Sequence, residues 1–251
     1  MKKVIIMGAS SGMGREVALR FLSEGCRVGV AARRIEALET LRQEFPEQVV
    51  TAQIDVTADA AADQLLQLVE RVGGVDLYFH AAGVGWQNAS LDKEVELRTV
   101  NTNGMGFTRM IDTIFNYMRA RGGGHIAVIS SIAGTKGLGP APSYSATKAF
   151  QNTYIQALEQ LANSQRLNIR FTDIRPGFVD TPLLNGTTFP MLMKADKVAD
   201  EIVWAIKHKK HVRVIDGRYR ILTACWRRIP RWIWRHINLS RNDMMSKSSK
   251  N

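Results

Sequence analysis

The sequence has few cysteines and no long apolar run. No stretch of about 18 consecutive apolar residues occurs, so no membrane-spanning helix is predicted. Its two cysteines, Cys26 and Cys225, lie far apart and form no C-x-x-C motif, so we expect neither a bound metal nor a disulfide. This usage fits a reducing compartment such as the cytoplasm. Too few apolar residues precede Gly8 for a signal peptide, and we interpret them as a first strand.

Acidic residues are scarce only near the C-terminal end. Residues 207–251 contain 13 Lys and Arg against two acids, Asp216 and Asp243, whereas the whole chain contains 34 bases and 23 acids. Subtraction leaves 21 bases and 21 acids in residues 1–206. The net charge of +11 therefore lies entirely in the C-terminal part.

The chain alternates short β-like runs with amphipathic helical stretches, and its 251 residues suit one large core. This alternation predicts an α/β fold, with a doubly wound parallel sheet of seven strands and helices on both faces. We assign residues 1–216 to this Rossmann-type unit and 217–251 to a basic C-terminal extension. The predicted strands are 4–7, 27–31, 49–54, 76–80, 125–130, 169–174 and 212–215, and the predicted helices are 14–23, 35–45, 57–72, 91–118, 143–162 and 197–207.

A glycine-rich turn follows the first predicted strand. Glycine lets a backbone approach a phosphate closely, and the next helix offers free N–H groups and its positive dipole end. The turn is therefore predicted to bind a diphosphate, although a tight turn without a ligand is the alternative. Its G-x-x-x-G-x-G spacing differs from the commonest dinucleotide motif. The candidate residues are Gly8, Ser10, Ser11, Gly12, Met13 and Gly14.

Arginines follow the second predicted strand, where an acid would bind a ribose 2′-hydroxyl. Arg33 and Arg34 could instead pair with a 2′-phosphate, and no aspartate lies between Arg15 and Ile54. The pattern favours NADP(H) over NAD(H), with solvated surface arginines as the alternative. Asp55, after the third strand, could bind an adenine amino group or cap the next helix.

Tyr144 and Lys148 lie four residues apart in a predicted helix and would project from the same side of it. A buried ammonium near the phenol would lower the pKa of the tyrosine towards neutrality, so that it could exchange a proton with a substrate. Chance spacing on an exposed helix face is the alternative.

The order of these motifs resembles the short-chain dehydrogenase/reductase family over residues 3–215. The resemblance implies that Tyr144 is the general acid or base and that Ser131, with Ser130 as the alternative, hydrogen-bonds the substrate oxygen. It implies that Lys148 binds the nicotinamide ribose and that Asn101 holds a water between this lysine and solvent. The motifs that carry the resemblance are the glycine turn, Asp55-Val56, Ala81-Ala82-Gly83, Asn101-Thr102-Asn103-Gly104, Ile129-Ser130-Ser131, Tyr144-x-x-x-Lys148 and Arg175-Pro176-Gly177. The further coenzyme contacts that it implies are Val56, Ala82, Gly83, Pro176, Gly177, Val179 and Thr181.

Three positions depart from the family pattern. His80 and Ala81 replace two asparagines, and Met7 replaces a frequent threonine. We interpret His80 as a packed strand residue rather than a catalytic one.

The segment 178–193 is apolar and would cover the substrate. Together with Val84 and Trp86, and with no evident cation, it suggests a hydrophobic and lipid-like ketone. Ordinary packing of this segment on the body is the alternative.

The extension places apolar residues and arginines at helical spacing over 217–237, and Pro230 is expected to divide it into two short helices. Its tryptophans and arginines suggest peripheral binding to an anionic membrane surface. The alternatives are an oligomer contact or a lid over the substrate. No nucleic-acid-binding motif accompanies the positive charge of the extension, so we do not expect nucleic acid as a partner.

We therefore predict an NADP(H)-dependent oxidoreductase that interconverts a ketone and a secondary alcohol. The resemblance implies a homo-oligomer, either a dimer or a tetramer. The alternative is a regulatory module that binds the coenzyme without turnover.

Overall fold

The computed structural model describes residues 1–184, 189 and 191–239. Its strands, given in chain order, are β1 (Lys3–Met7), β2 (Arg27–Ala32), β3 (Val49–Gln53), β4 (Leu77–His80), β5 (Gly124–Ile129), β6 (Ile169–Arg175), β7 (Val179–Asp180), β8 (Met193–Lys194) and β9 (Val212–Val214). Seven of them form one parallel sheet in the order β3-β2-β1-β4-β5-β6-β9, which confirms the predicted architecture, and β7 pairs with β8 separately. The strand order reverses between β1 and β4, and ligands bind at such a switch point.

Helices cover both faces of the sheet because each strand buries side chains on both sides. In β1, Val4 and Ile6 belong to the core cluster on one face, and Ile5 and Met7 to the cluster on the other. The helices are α1 (Gly12–Ser23), α2 (Glu36–Glu44), α3 (Ala61–Val72), α4 (Lys93–Val100), α5 (Phe107–Ala120), α6 (Pro142–Ser164), α7 (Ala195–Lys207), α8 (Gly217–Arg228) and α9 (Arg231–Trp234).

The long helix predicted over 91–118 is interrupted. A wide π-helical turn, Asn101–Gly106, separates α4 from α5. Gly106 lies against the chain that follows β3, since an added Cβ would be 2.9 Å from the Val56 carbonyl oxygen. The turn directs Thr102 and Asn103 into the protein, where both are buried. Periodicity alone could not reveal this change of pitch.

The basic extension begins inside the main core. Tyr219 of α8 is fully buried, donates a hydrogen bond to the Met191 carbonyl (3.1 Å) and accepts one from the Phe178 amide (3.3 Å). Pro230 separates α8 from α9, which confirms the predicted division into two helices. Although composition changes near residue 217, the extension packs as a continuation of the body.

The tryptophans of the extension are not presented together to solvent. Trp226 and Trp234 pack against each other with ring centroids 5.4 Å apart, and Trp234 Nε1 donates to the Gly137 carbonyl (2.7 Å). Trp232 is 69% exposed. In the described ranges, no helix combines the length and apolar content needed to cross a bilayer. Contact with a membrane surface stays a prediction.

Candidate active site

The glycine turn after β1 brings the backbone close to its neighbours. Gly8 and Gly12 have φ values of +92° and +55°, which favour glycine. An added Cβ on Gly8 would lie 2.5 Å from the Ala82 nitrogen, and one on Gly14 would lie 2.2 Å from the Gly8 carbonyl oxygen. α1 begins at Gly12, so its free N–H groups belong to this turn. The turn therefore fits a diphosphate.

A cavity of about 610 Å³ opens beside this turn, at the carboxyl ends of the strands. Its size and position fit a nicotinamide dinucleotide. It is also lined by Gly85, Trp86 and Thr102, which were not predicted as coenzyme contacts. The predicted coenzyme residues that line it are Gly8, Ser10, Ser11, Gly12, Met13, Gly14, Arg33, Arg34, Asp55, Val56, Ala82, Gly83 and Thr181.

Three predicted coenzyme residues after β6 support the cavity without lining it. Pro176 accepts a hydrogen bond from the Ile132 amide through its carbonyl (3.1 Å). Gly177 lies against the Tyr219 ring, where an added Cβ would be 2.2 Å away. Val179 is buried in the core. The structure gives these residues packing roles around the site.

Polar groups at the adenosine end are already oriented. Arg34 Nη2 lies 3.3 Å from the hydroxyl oxygens of both Ser10 and Ser11, so it bridges the end of β2 and the glycine turn. Arg33 is exposed beside it. Asp55 Oδ1 accepts bonds from the amide (3.0 Å) and hydroxyl (2.7 Å) of Thr57, so this carboxylate caps the turn after β3 while it lines the cavity.

Ser131 and Tyr144 meet where β5 ends and α6 begins. The side chain of Ser131 lies near enough to the hydroxyl of Tyr144 to lower its pKa, and it accepts a hydrogen bond from the Ala133 amide (3.0 Å). Lys148 lies one turn further along α6, with Nζ 5.8 Å from the centre of the Tyr144 ring. Ser130 instead donates to Asp173 and to the Ile174 carbonyl (3.2 Å), so the structure selects Ser131 over Ser130.

Burial determines the protonation of this pair. Burial lowers the pKa of Lys148 to about 8, which Asp173 partly opposes. Burial raises the pKa of Tyr144, and the nearby Ser131 side chain partly offsets the rise. The expectation that Lys148 lowers the tyrosine pKa is wrong, because the ammonium instead donates to the Ile129 carbonyl (3.1 Å). Both groups therefore carry their protons at neutral pH.

Asn103, rather than Asn101, reaches the catalytic residues. Asn101 is exposed on the outside of the π-helical turn, so its predicted contact with the Lys148 region is wrong. Asn103 is fully buried, accepts from the Val84 amide (2.9 Å) and donates to the Val84 carbonyl (2.7 Å). The change of helical pitch thus turns Asn103, two residues further along, towards the inside of the protein.

Gln151 is a further site residue that the sequence analysis missed. It is fully buried, its Oε1 accepts from Lys148 Nζ (2.9 Å) and its Nε2 donates to the backbone carbonyl of Asn103 (2.9 Å). The available signal was its position three residues after Lys148, which places both on one side of α6. Gln151 thus connects the catalytic lysine to the π-helical turn.

His80 is held within the sheet and its packing. Its Nδ1 lies 2.9 Å from the Tyr78 hydroxyl, and its ring meets Phe107 edge-on with centroids 5.2 Å apart. Burial lowers the pKa of His80 to about 3, so the ring is neutral at physiological pH. This geometry agrees with the interpretation of His80 as a packed strand residue.

A sequence model of the short chain dehydrogenase family matches residues 2–189. The chain belongs to the short-chain dehydrogenase/reductase family. An uncharacterized oxidoreductase of Myxococcus xanthus is 37% identical over 196 residues, which cover 76% of this chain and 77% of that protein. The enzyme is therefore an oxidoreductase of this family.

Two solved structures extend the comparison. A variant of actinorhodin polyketide ketoreductase with NADPH is 27% identical, has a TM-score of 0.76, and the match covers 87% of this chain and 97% of that one. A 3-ketoacyl-(acyl-carrier-protein) reductase of Brucella melitensis with NADH is 25% identical, has a TM-score of 0.75, and the match covers 86% and 97%. A nicotinamide coenzyme is thereby supported for this enzyme.

We expect Asn103→Ala to lower turnover at least about tenfold, because the loops that position Tyr144 and Lys148 lose their shared anchor. It should also cost about 1–3 kcal/mol of stability, since Val84 loses two buried hydrogen-bond partners. The turnover of the matched variant Asn101→Ala should stay within about twofold of the wild-type value, because Asn101 is exposed. Turnover and the free energy of unfolding in urea test this pair, and a larger loss for Asn101→Ala would reverse the assignment.

Proposed function

We propose that this enzyme reduces a ketone to a secondary alcohol, or catalyses the reverse oxidation, with NADP(H) and an apolar substrate. The observation that carries the proposal is that Ser131 and Tyr144 meet next to a cavity of dinucleotide size, because the Tyr144 ring lies against Gly85 of its lining, with Lys148 one turn away on α6. A regulatory module without turnover would have no use for this buried arrangement.

The coenzyme supplies a hydride to the carbonyl carbon, or accepts one from the alcohol carbon, when it is bound. Tyr144 donates a proton to the carbonyl oxygen in reduction, and Ser131 donates a hydrogen bond as negative charge develops there. Because burial raises the pKa of Tyr144, its hydroxyl is protonated at neutral pH and can act as an acid. The free enzyme therefore carries the proton that reduction requires, and we favour reduction as the direction of the reaction.

Lys148 binds the nicotinamide ribose in this proposal and supports proton transfer at Tyr144. Its pKa of about 8 keeps it mostly charged at neutral pH. The role that the resemblance implied for Asn101 passes to the carbonyl of Asn103, which Gln151 joins to Lys148 Nζ through two hydrogen bonds of 2.9 Å. Gln151 thus joins the lysine to Asn103 directly, whereas the resemblance implied a water held by Asn101 between the lysine and solvent.

Apolar side chains occur in both segments that we propose to border the substrate. Val84 and Trp86 line the coenzyme cavity, and the rings of Phe178 and Phe189 stack with centroids 4.0 Å apart. These walls support a hydrophobic, lipid-like ketone. Outside the predicted cover, the exposed Arg98 guanidinium lies over the Trp86 ring, 5.0 Å from its centre. Within the predicted cover, residues 185–188 and 190 lie outside the described residues.

The preference for NADP(H) rests on the end of β2. Arg33 and Arg34 line the cavity there, and Arg34 is already directed across the glycine turn towards Ser10. A 2′-phosphate would accept bonds from these guanidinium groups, whereas a 2′-hydroxyl would leave two cations without a partner. The cytoplasmic location stays a prediction.

Members of this family commonly form oligomers, and we propose a dimer or tetramer built on α4 to α6. α4 packs against α6, and large apolar side chains on these helices and the intervening turn are open to solvent. A second copy of the chain would bury them. The exposed residues are Leu97, Val100, Met105, Phe150 and Leu161.

Replacement of Tyr144 by Phe should reduce turnover at least about a thousandfold, since the proton donor is removed. The affinity for NADPH, measured by fluorescence titration, should stay within about threefold, because only the hydroxyl is lost. A panel of apolar ketones, followed by the nicotinamide absorbance, provides the assay. Wild-type enzyme that binds NADPH but converts no ketone in the panel would favour the regulatory alternative.

Exchange of both Arg33 and Arg34 for Ala should weaken NADPH binding about 10- to 100-fold, as expected for loss of charged hydrogen bonds to a phosphate. Affinity for NADH should change less than about threefold. Exposed Arg119 on α5, replaced by Ala, serves as the charge control. Equal weakening of both coenzymes would contradict a role in recognising the 2′-phosphate.

The double variant Val100→Glu/Phe150→Glu should sediment as a monomer, because it places charges in the proposed contact between copies. Leu66→Glu, which charges an exposed position on α3 that is 39% accessible, should leave the oligomer intact. Sedimentation velocity measures both. A monomeric wild type at micromolar concentration, or dissociation by Leu66→Glu alone, would exclude this interface.

A further inference from the structure

A second cavity, of about 670 Å³, lies between residues 134–139 and the C-terminal extension. It shares no lining residue with the coenzyme cavity. Two hydrogen bonds hold its sides together: Lys136 Nζ donates to the Ile229 carbonyl (2.8 Å), and Trp234 Nε1 donates to the Gly137 carbonyl (2.7 Å). The cavity is therefore a built feature of the fold and separate from the catalytic cleft.

Among the residues that the structure describes, four cations line this cavity, Arg227, Arg231, Arg235 and Lys136, and no carboxylate does. Over the described residues, the three arginines form no ion pair, whereas Arg218 of the same extension pairs with Asp216. Like charges gathered in this way repel one another, so an anion among them would be stabilised. The charge that composition assigned to the C-terminal part is thus partly concentrated around one cavity.

The remaining lining is apolar, except for one hydroxyl. Trp234, Ile237, Leu239 and Ala149 contribute carbon surface. Thr135 also lines the cavity, and its buried hydroxyl has no hydrogen-bond partner in the described part of the chain. This hydroxyl has almost no accessible surface, so a ligand in the cavity would meet the cations and the apolar side chains.

We propose that this cavity binds the phosphate group of an amphiphile, with the apolar part of the ligand against Trp234 and Ile237. A phosphate offers more acceptor oxygens than a carboxylate and can receive bonds from several guanidinium groups at once. The source is either a phospholipid headgroup or a soluble phosphate ester. This site lies outside the proposed reaction, because none of its lining residues belongs to the catalytic set.

The site is next to the catalytic loop in the chain. Lys136 and Gly137 lie between Ser131 and Tyr144, and the extension that faces them also holds Met191 and Phe178 through Tyr219. Occupation of the cavity therefore acts on both segments that border the substrate. Its effect would appear in the KM for the ketone.

Binding is tested on the full chain without coenzyme, by calorimetry with dioctanoyl phosphatidic acid and with inorganic phosphate. The double variant Arg231→Gln/Arg235→Gln should weaken binding of the dioctanoyl lipid at least about tenfold. The matched variant Arg220→Gln/Arg228→Gln removes the same charge from exposed positions of α8 that do not line the cavity, and should stay within about twofold. Unchanged NADPH affinity in both variants shows that the fold is intact.

Equal weakening by the two variants would overturn the proposal, because it would indicate diffuse attraction to the basic extension. Absence of binding by the lipid would overturn it as well. Co-sedimentation with vesicles distinguishes the two sources. If the enzyme pellets with phosphatidylglycerol vesicles but not with phosphatidylcholine vesicles, and the variant Arg231→Gln/Arg235→Gln no longer pellets, the ligand is a lipid headgroup. Calorimetric binding without pelleting assigns it to a soluble phosphate ester.

Discussion

The paired hydrogen bonds between Asn103 and the backbone of Val84 are the constraint on which the catalytic arrangement depends. They attach the π-helical turn to the chain beyond β4, deep in the protein. From this anchor, the carbonyl of Asn103 binds Gln151, which in turn binds Lys148. Because each partner is buried, no water can replace a lost bond without cost. The position of the Lys148 ammonium thus depends on contacts with the chain that follows β4, next to the point where the strand order reverses.

A second set of contacts joins the C-terminal extension to the segments around the substrate. Tyr219 bonds the backbone on both sides of the apolar cover, and Trp234 and Lys136 connect the extension to the loop after Ser131. The extension is consequently part of the enzyme rather than an appendage. The aromatic groups of the extension pack within the protein, and Trp226 and Trp234 lie against each other.

Much of the fold and of the coenzyme site could be predicted, because glycine spacing and strand alternation are local properties of the chain. The glycine turn, Arg34 and Asp55 all lie at one cavity as the parallel sheet requires. The errors have local causes too. Asn101 was selected because the family resemblance implied it, and the change of helical pitch that turns Asn103 inwards is not visible along the chain. Gln151 was missed because an amide on a helix has no characteristic chemistry until its neighbours are known.

The amino-acid sequence by itself determined the sheet of seven strands, the family, and the residue types that meet at the carboxyl edge, since period, turn chemistry and spacing are written along the chain. The tertiary structure alone decided which asparagine faces the lysine, that Tyr144 keeps its proton, and where the arginines of the extension gather. Those outcomes depend on burial and on contacts between residues distant in sequence, such as Lys136 with Ile229 and Asn103 with Gln151. Burial and long-range contact arise only when the chain has folded.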